Sequence, residues 1–262
     1  MATTKHITNT QVAKSTPFDN STNGFAATDT QSAIEEVKSS QTNAASLVGN
    51  DDFVYAEQGL DIGHNPLGLL RTTSGAGAAV DILTSAELID SVSWGVMRFT
   101  TGTTATGRAY VASEAGSLRL NTNKFTVEYR VMFPVLPTSA QRFTYYVGFM
   151  DTQNAGQPTN GIYFVNSDNI NSGHWSLRTV SSSSVSTLDT LITPNVNQWY
   201  KLKFEFISSS LVNCYVDTVL VGTIVSNIPV NTAIETTIKL EKSVGSTSRI
   251  AYIDSVWWEL DR

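Results

Sequence analysis

From residue 51 onward, apolar and polar side chains alternate in short runs separated by turn residues, the period-two signature of half-buried β-strands. The clearest run is 125–133, where Phe125, Val127, Tyr129, Val131 and Phe133 share one face and Thr126, Glu128, Arg130 and Met132 the other. A second, 199–207, puts Tyr200, Leu202, Phe204 and Phe206 inward and Lys201, Lys203 and Glu205 outward. Runs 211–217 and 219–225 follow, and Asp217-Thr218 between them reads as a tight hairpin. Further strands are predicted at 96–100, 108–113, 145–150, 162–166, 175–180, 234–242 and 249–260, with one helical turn at 85–91. So many strands with so little helix predict an all-β fold, an antiparallel β-sandwich with jelly-roll connections.

The first fifty residues are patterned differently. Residues 1–14 form a polar arm, and 15–40 place Phe18 and Phe25 in an Asn/Ser/Thr/Gly-rich stretch before a short amphipathic helix. Thr28 or Asp29 can cap its start, Gln31 stands at capping-box spacing from Thr28, and Ala33, Ile34 and Val37 share one face. A helix this short is marginal alone in water and needs a surface to lean on. Residues 15–40 therefore read as an attachment or oligomerisation segment, 41–50 as a linker, and 51–262 as the β domain.

Charge narrows the partners. Only 15 % of the 262 residues are charged and the formal net charge is -6, which argues against a phosphate-tracking surface and so against nucleic acid. Cys214 is the sole cysteine, so no intrachain disulfide forms; alternating with Val212 and Val216, it reads as a small core residue. The first residues lack the apolar core of a secretion signal, and no apolar run reaches membrane-spanning length, so neither export nor membrane insertion is expected.

No constellation points to catalysis. Glycosidic cleavage wants two carboxylates flanking one bond, yet Glu128 and Glu205 have no acidic neighbour two residues away, and Glu259 has only Asp261 at the chain end. His6, His64 and His174 are scattered without metal-ligand spacing. The oxygen-rich loops at Asn166, Asp168 and Asn169, and at Asp151 and Asn154, offer calcium few carboxylates and read as Asx turns. No metal and no cofactor are expected. A sugar platform is the remaining reading: aromatic rings flanked by amides and hydroxyls, with Tyr145, Tyr146, Tyr163, Asn166 and Trp175 as candidates. In the adjacent pair Trp257-Trp258 one indole must lie off the core, and Trp257 is assigned to a subunit contact.

The stretch FDNSTNGFAATDTQSAIEE, residues 18–36, closely resembles a segment near the N-termini of bacteriophage tail-fibre and other virion structural proteins, departing mainly at Thr30. WGVMRFTTGTTATGRAYV at 94–111 resembles a segment of the same phage proteins. FTVEYRVMF, NQWYKLKFEF and NCYVDTVLVGTI resemble strands of the concanavalin/laminin-G-like jelly roll. The resemblance implies a virion-located protein, a tail fibre or receptor-binding protein. Its N-terminal segment would hold other virion proteins and a homotrimer, and its jelly roll would bind host surface glycan. A capsid or tail decoration fibre is the alternative, and a glycan depolymerase a weaker one.

Overall fold

The computed structural model describes residues 46–51, 69–83, 95–113, 116, 118–152 and 155–261. The expected helix with Ile34 and Val37, the aromatics Phe18 and Phe25, the turn at 85–91, and Asn154 lie outside the described residues. The chain separates into two units, 1–46 with Arg262 and 47–261, and the strands below, Ser46 apart, belong to the second.

Sixteen strands are described. The first eight are β1 (Ser46–Asp51), β2 (Leu70–Ser74), β3 (Ala78–Ile82), β4 (Met97–Thr101), β5 (Arg108–Ala112), β6 (Leu118–Arg119), β7 (Phe125–Met132) and β8 (Phe143–Met150). There follow β9 (Gly161–Asn166), β10 (Ser176–Ser181), β11 (Ser184–Asp189), β12 (Trp199–Ser208), β13 (Leu211–Val216), β14 (Val219–Ile224), β15 (Ala233–Lys242) and β16 (Ile250–Asp261). They form two sheets, ordered β14-β13-β12-β7-β16-β4-β3 and β11-β10-β9-β8-β15-β5-β2; β1 adds to β16 and β6 to β15. The ladders along both paths are antiparallel. The fold is all-β, an antiparallel sandwich. Among the described residues the only helical element is a 3-10 turn at Asn171–Gly173.

Alternation builds the core. Phe125, Val127, Tyr129 and Val131 of β7 and Tyr200, Leu202, Phe204 and Phe206 of β12 face Tyr145, Val147 and Phe149 of β8, Ile162 and Phe164 of β9, and Ile238 and Leu240 of β15. Burying each such side chain contributes on the order of 1.5–3 kcal/mol. Phe125 meets Phe149 edge-on at 5.0 Å between ring centres, which locks the two sheets together. Cys214 is buried between β12 and β14, and burial pushes its thiol up to about 12, so it packs rather than reacts.

Three features depart from a plain alternating reading. Residues 46–51 form a strand where a linker was expected, so the β unit begins before Asp51. Ser182 and Ser183 both take positive φ, 48° and 67°, in a tight hairpin joining β10 to β11, a strand the Ser-rich sequence does not announce. In β16 the pairing with β7 shifts between Ile253 and Ser255. The extra residue, Asp254, reverses the phase, so Ala251 and Ile253 point inward before it and Val256, Trp258 and Leu260 after it.

Candidate functional site

The five proposed sugar-platform residues divide between two places. Trp175 is fully buried and stacks on Phe133 at 5.1 Å, and Tyr145 crosses Phe133 at 5.3 Å, so both are core residues. Asn166 is fully buried too, and its Nδ2 donates to the Gly173 carbonyl at 2.7 Å, holding the 3-10 turn. An exposed platform at Tyr145, Asn166 and Trp175 is therefore corrected. The physical reason is the strand period, which turns Tyr145 inward, and the area that a buried indole contributes.

Tyr146 and Tyr163 go the other way, onto the outer face of the second sheet. They too are buried, at 7 % and 0 % exposure, so the expectation of exposed rings is corrected for them as well. There they form a separate apolar cluster with Met150, Val165 and Val180. Strand register assembles this face: Lys239 of β15 lies opposite Tyr146, Gly148 lies opposite both Thr237 and Tyr163, and Arg178 of β10 lies opposite Tyr163. Gly148 is required here. Its φ is +154°, and a Cβ would come within 2.4 Å of the Ile162 carbonyl and 2.5 Å of the Tyr163 Cα. The Lys239 ammonium sits 4.5 Å from the centre of the Tyr146 ring, and the Tyr146 and Tyr163 rings are 5.8 Å apart.

The loop between β8 and β9 lies against this face. Glu241 accepts two hydrogen bonds from the Gly156 N–H, at 3.0 and 3.2 Å. Lys239 Nζ donates to the Gly156 carbonyl at 2.8 Å and lies 3.4 Å from Glu241. Arg178 Nη1 donates to Gln157 Oε1 at 3.1 Å. The base of the loop is tied to Asp151, which accepts from the Thr159 N–H at 3.0 Å, from the Thr159 hydroxyl, and from Asn160 Nδ2 at 2.8 Å.

Electrostatics follow burial. Lys239 has a side chain with no exposed surface, and burial lowers its pKa while Glu241 partly restores it. Burial, with the nearby Glu241 charge, pushes Tyr146 up to about 12. Burial also raises Tyr163, with the Arg178 guanidinium opposing. Partial burial works to raise Asp151, but hydrogen bonds from Thr159 and Asn160 outweigh it and hold the carboxyl below its ordinary value.

The sequence reading missed Lys239, Glu241 and Arg178. Their signal was alternation: Glu235, Thr237, Lys239 and Glu241 are the polar half of β15. Alternation says that they share a face, but not that the face is covered.

Elsewhere Asp168, Asp189 and Glu205 are engaged by protein groups. Asp168 receives both Arg142 Nε and Nη2, at 2.8 and 2.9 Å. His174 Nδ1 lies 3.0 Å from Asp189. On the outer face of the first sheet Glu205 accepts from Tyr215 at 2.6 Å and Lys203 at 2.8 Å. Trp257 is half-buried in β16, on the side opposite Trp258, which packs against the core. Among the described residues no group of three or more His, Cys, Asp or Glu converges as metal ligands would.

Comparison with known proteins places this architecture. SO2946 of Shewanella oneidensis MR-1, a protein of unknown function, superposes with a TM-score of 0.55 at 17% identity over 91% of this chain and 96% of that one. Peanut lectin gives 0.54 at 13% identity over 83% and 98%. An endo-1,3-beta-glucanase from Streptomyces sioyaensis gives 0.53 at 14% over 83% and 97%. At such identities the likeness is one of fold. No curated protein matches the chain in sequence. The model of the SO2946-like C-terminal domain matches residues 93–254, more than half of the sequence, and the chain belongs to that family.

Proposed function

We propose that this protein is a non-catalytic glycan-binding component of a phage virion, a tail fibre or receptor-binding protein whose β-sandwich meets the host surface. The observation that carries the binding reading is the outer face of the second sheet. Two buried tyrosines there are bracketed by Lys239, Glu241 and Arg178, charged hydrogen-bonding groups over an apolar floor covered by residues of the β8–β9 loop, on a fold shared with peanut lectin. The virion assignment rests on the resemblance of residues 18–36. Trimerisation through the N-terminal segment would multiply weak single-site affinity, because linked sites bind with a high effective concentration.

Geometry supports a binding role over hydrolysis. The acidic side chains of the face, Glu235 and Glu241, stand six residues apart on one strand, about 20 Å at the usual rise per residue. Paired glycosidase carboxylates stand roughly 5–10 Å apart. Glycan-array screening of the full chain, alongside reducing-end release from host envelope, tests the reading. Binding without release is expected; release of oligosaccharide overturns it.

A further inference from the structure

We propose that Gly156 and Gln157 of the β8–β9 loop act as an internal surrogate ligand on the outer face of the second sheet, and that the glycan this face receives carries an N-acetylated amino sugar. The inference rests on the reading that this face binds glycan, and deepens it by naming the ligand chemistry.

Pro158 is buried and Thr159 and Asn160 are tied to Asp151, but Gly156 and Gln157 are attached through polar contacts that a ligand can replace. Gly156 and Gln157 are exposed above a face whose Lys239, Thr237 and Tyr163 are wholly buried. Nothing lies within 4 Å of where a Gly156 Cβ would project, so packing does not press this residue down. What holds it are its N–H on Glu241, its carbonyl on Lys239, and the Gln157 amide oxygen on Arg178. Burying Lys239 is unfavourable unless its ammonium is hydrogen-bonded, so whatever displaces the loop must bring equivalent groups.

Those groups define the ligand. It must give Lys239 and Arg178 acceptors and Glu241 a donor. An acidic sugar supplies acceptors but sets a second anion against Glu241. A hydroxyl can serve either charge but orders neither. An acetamido group carries an N–H and a C=O fixed in one plane, and its methyl suits the apolar cluster of Tyr146, Met150 and Val165. The loop already presents amide N–H and C=O groups to the same partners.

The test compares the full chain with Gln157→Ala, which removes only the Arg178 contact, and Gly156→Pro, which removes the N–H given to Glu241 and cannot take the φ of +89°. The probes, titrated calorimetrically, are N-acetylglucosamine oligomers, glucose oligomers of equal length, and oligogalacturonate. The N-acetylated series is expected to bind best, both variants about tenfold more tightly than the parent, because a competing internal occupant lowers apparent affinity by the fraction of time it is bound. Hydrogen exchange at the Gly156 amide should accelerate when the sugar binds. Equal or weaker binding by both variants overturns the surrogate role while leaving glycan binding intact. Preference for glucose oligomers or oligogalacturonate overturns the ligand class. Binding of none of the three probes, with a positive array result elsewhere, moves the glycan site off this face.

Discussion

At the scale of single residues, the molecule depends on buried hydroxyls that resist ionisation. Burial raises Tyr129, Tyr145 and Tyr163 and brings Tyr146 to about 12. The folded-state values exceed the unfolded one near 10, so the folded chain holds these protons where the unfolded chain releases them. Stability is therefore fully present below pH ~10 and falls above it. Tyr146 alone, a shift of about two units, contributes on the order of 2–3 kcal/mol of loss by pH 12. Urea midpoints measured from pH 8 upward should drop steeply beyond ~10 and flatten in Tyr146→Phe relative to the parent. Lys239 acts oppositely: burial lowers its pKa, so between that value and ~10.4 its contribution rises with pH, a smaller trend that Lys239→Met removes. Gly148→Ala should cost about 3 kcal/mol or more, because its Cβ meets the backbone of β9 rather than a movable side-chain tip. Inward and outward positions of β7, β12 and β13 were legible from alternation alone. Which outward faces are covered was not, because cover comes from chain distant in sequence; Tyr146 and Tyr163 could be assigned as aromatic, but not as lying beside a buried lysine.

At the scale of elements, legibility followed local chemistry. Strands with strong apolar alternation, β7, β12, β13 and β15, stand where the pattern predicts. β2 is exposed along most of its length and β11 begins on the last of four consecutive serines, so neither carries an apolar stripe, and only pairing in the folded sheet makes them strands. The Asp217-Thr218 hairpin was legible, and both residues adopt positive φ, 48° and 72°. Asp217 earns its place by accepting from the Lys201 N–H at 2.8 Å. Thr218 does not, since a β-branched residue is strained there, and Thr218→Gly should stabilise the domain by roughly 0.5–1 kcal/mol in urea unfolding. The bulge at Asp254 makes a sharper prediction. Its carboxylate pairs with Arg130 at 2.5 Å, and its extra residue sets the phase of everything after it. Deleting Asp254 leaves Ile253 opposite Val131 and Ser255 opposite Arg130 in a plain ladder, so Val256, Trp258 and Leu260 still face inward and the deletion should fold with only the loss of the Arg130 pair. Inserting one residue after Ser255 would send Trp257 and Glu259 inward and Trp258 and Leu260 outward and should fail to fold, and Asp254→Asn should keep the register with a modest loss. A soluble insertion variant with native near-UV circular dichroism would show that the phase after the bulge does not decide folding.

At the scale of the whole molecule, the division between units 1–46 and 47–261 matches the proposed split between attachment and recognition. The face proposed to bind glycan lies wholly within the second unit, while the phage-like segment 18–36 lies within the first and the phage-like segment 94–111 within the second. Removing residues 1–40 should therefore leave sugar binding per domain unchanged while abolishing both particle attachment and trimerisation. Light scattering is expected to give a trimer for the full chain and a monomer for the truncated one. Binding to a dense glycan surface should fall by about two orders of magnitude or more on truncation, with the single-site dissociation constant unmoved, because avidity resides in linkage rather than in new contacts. Immunogold labelling of virions with antibody to residues 51–262 fixes the site of display. Label at the distal tail agrees with host recognition. Label over the capsid makes the protein a decoration fibre, and the covered face of the second sheet would then have to be explained by packing against the particle instead of by sugar.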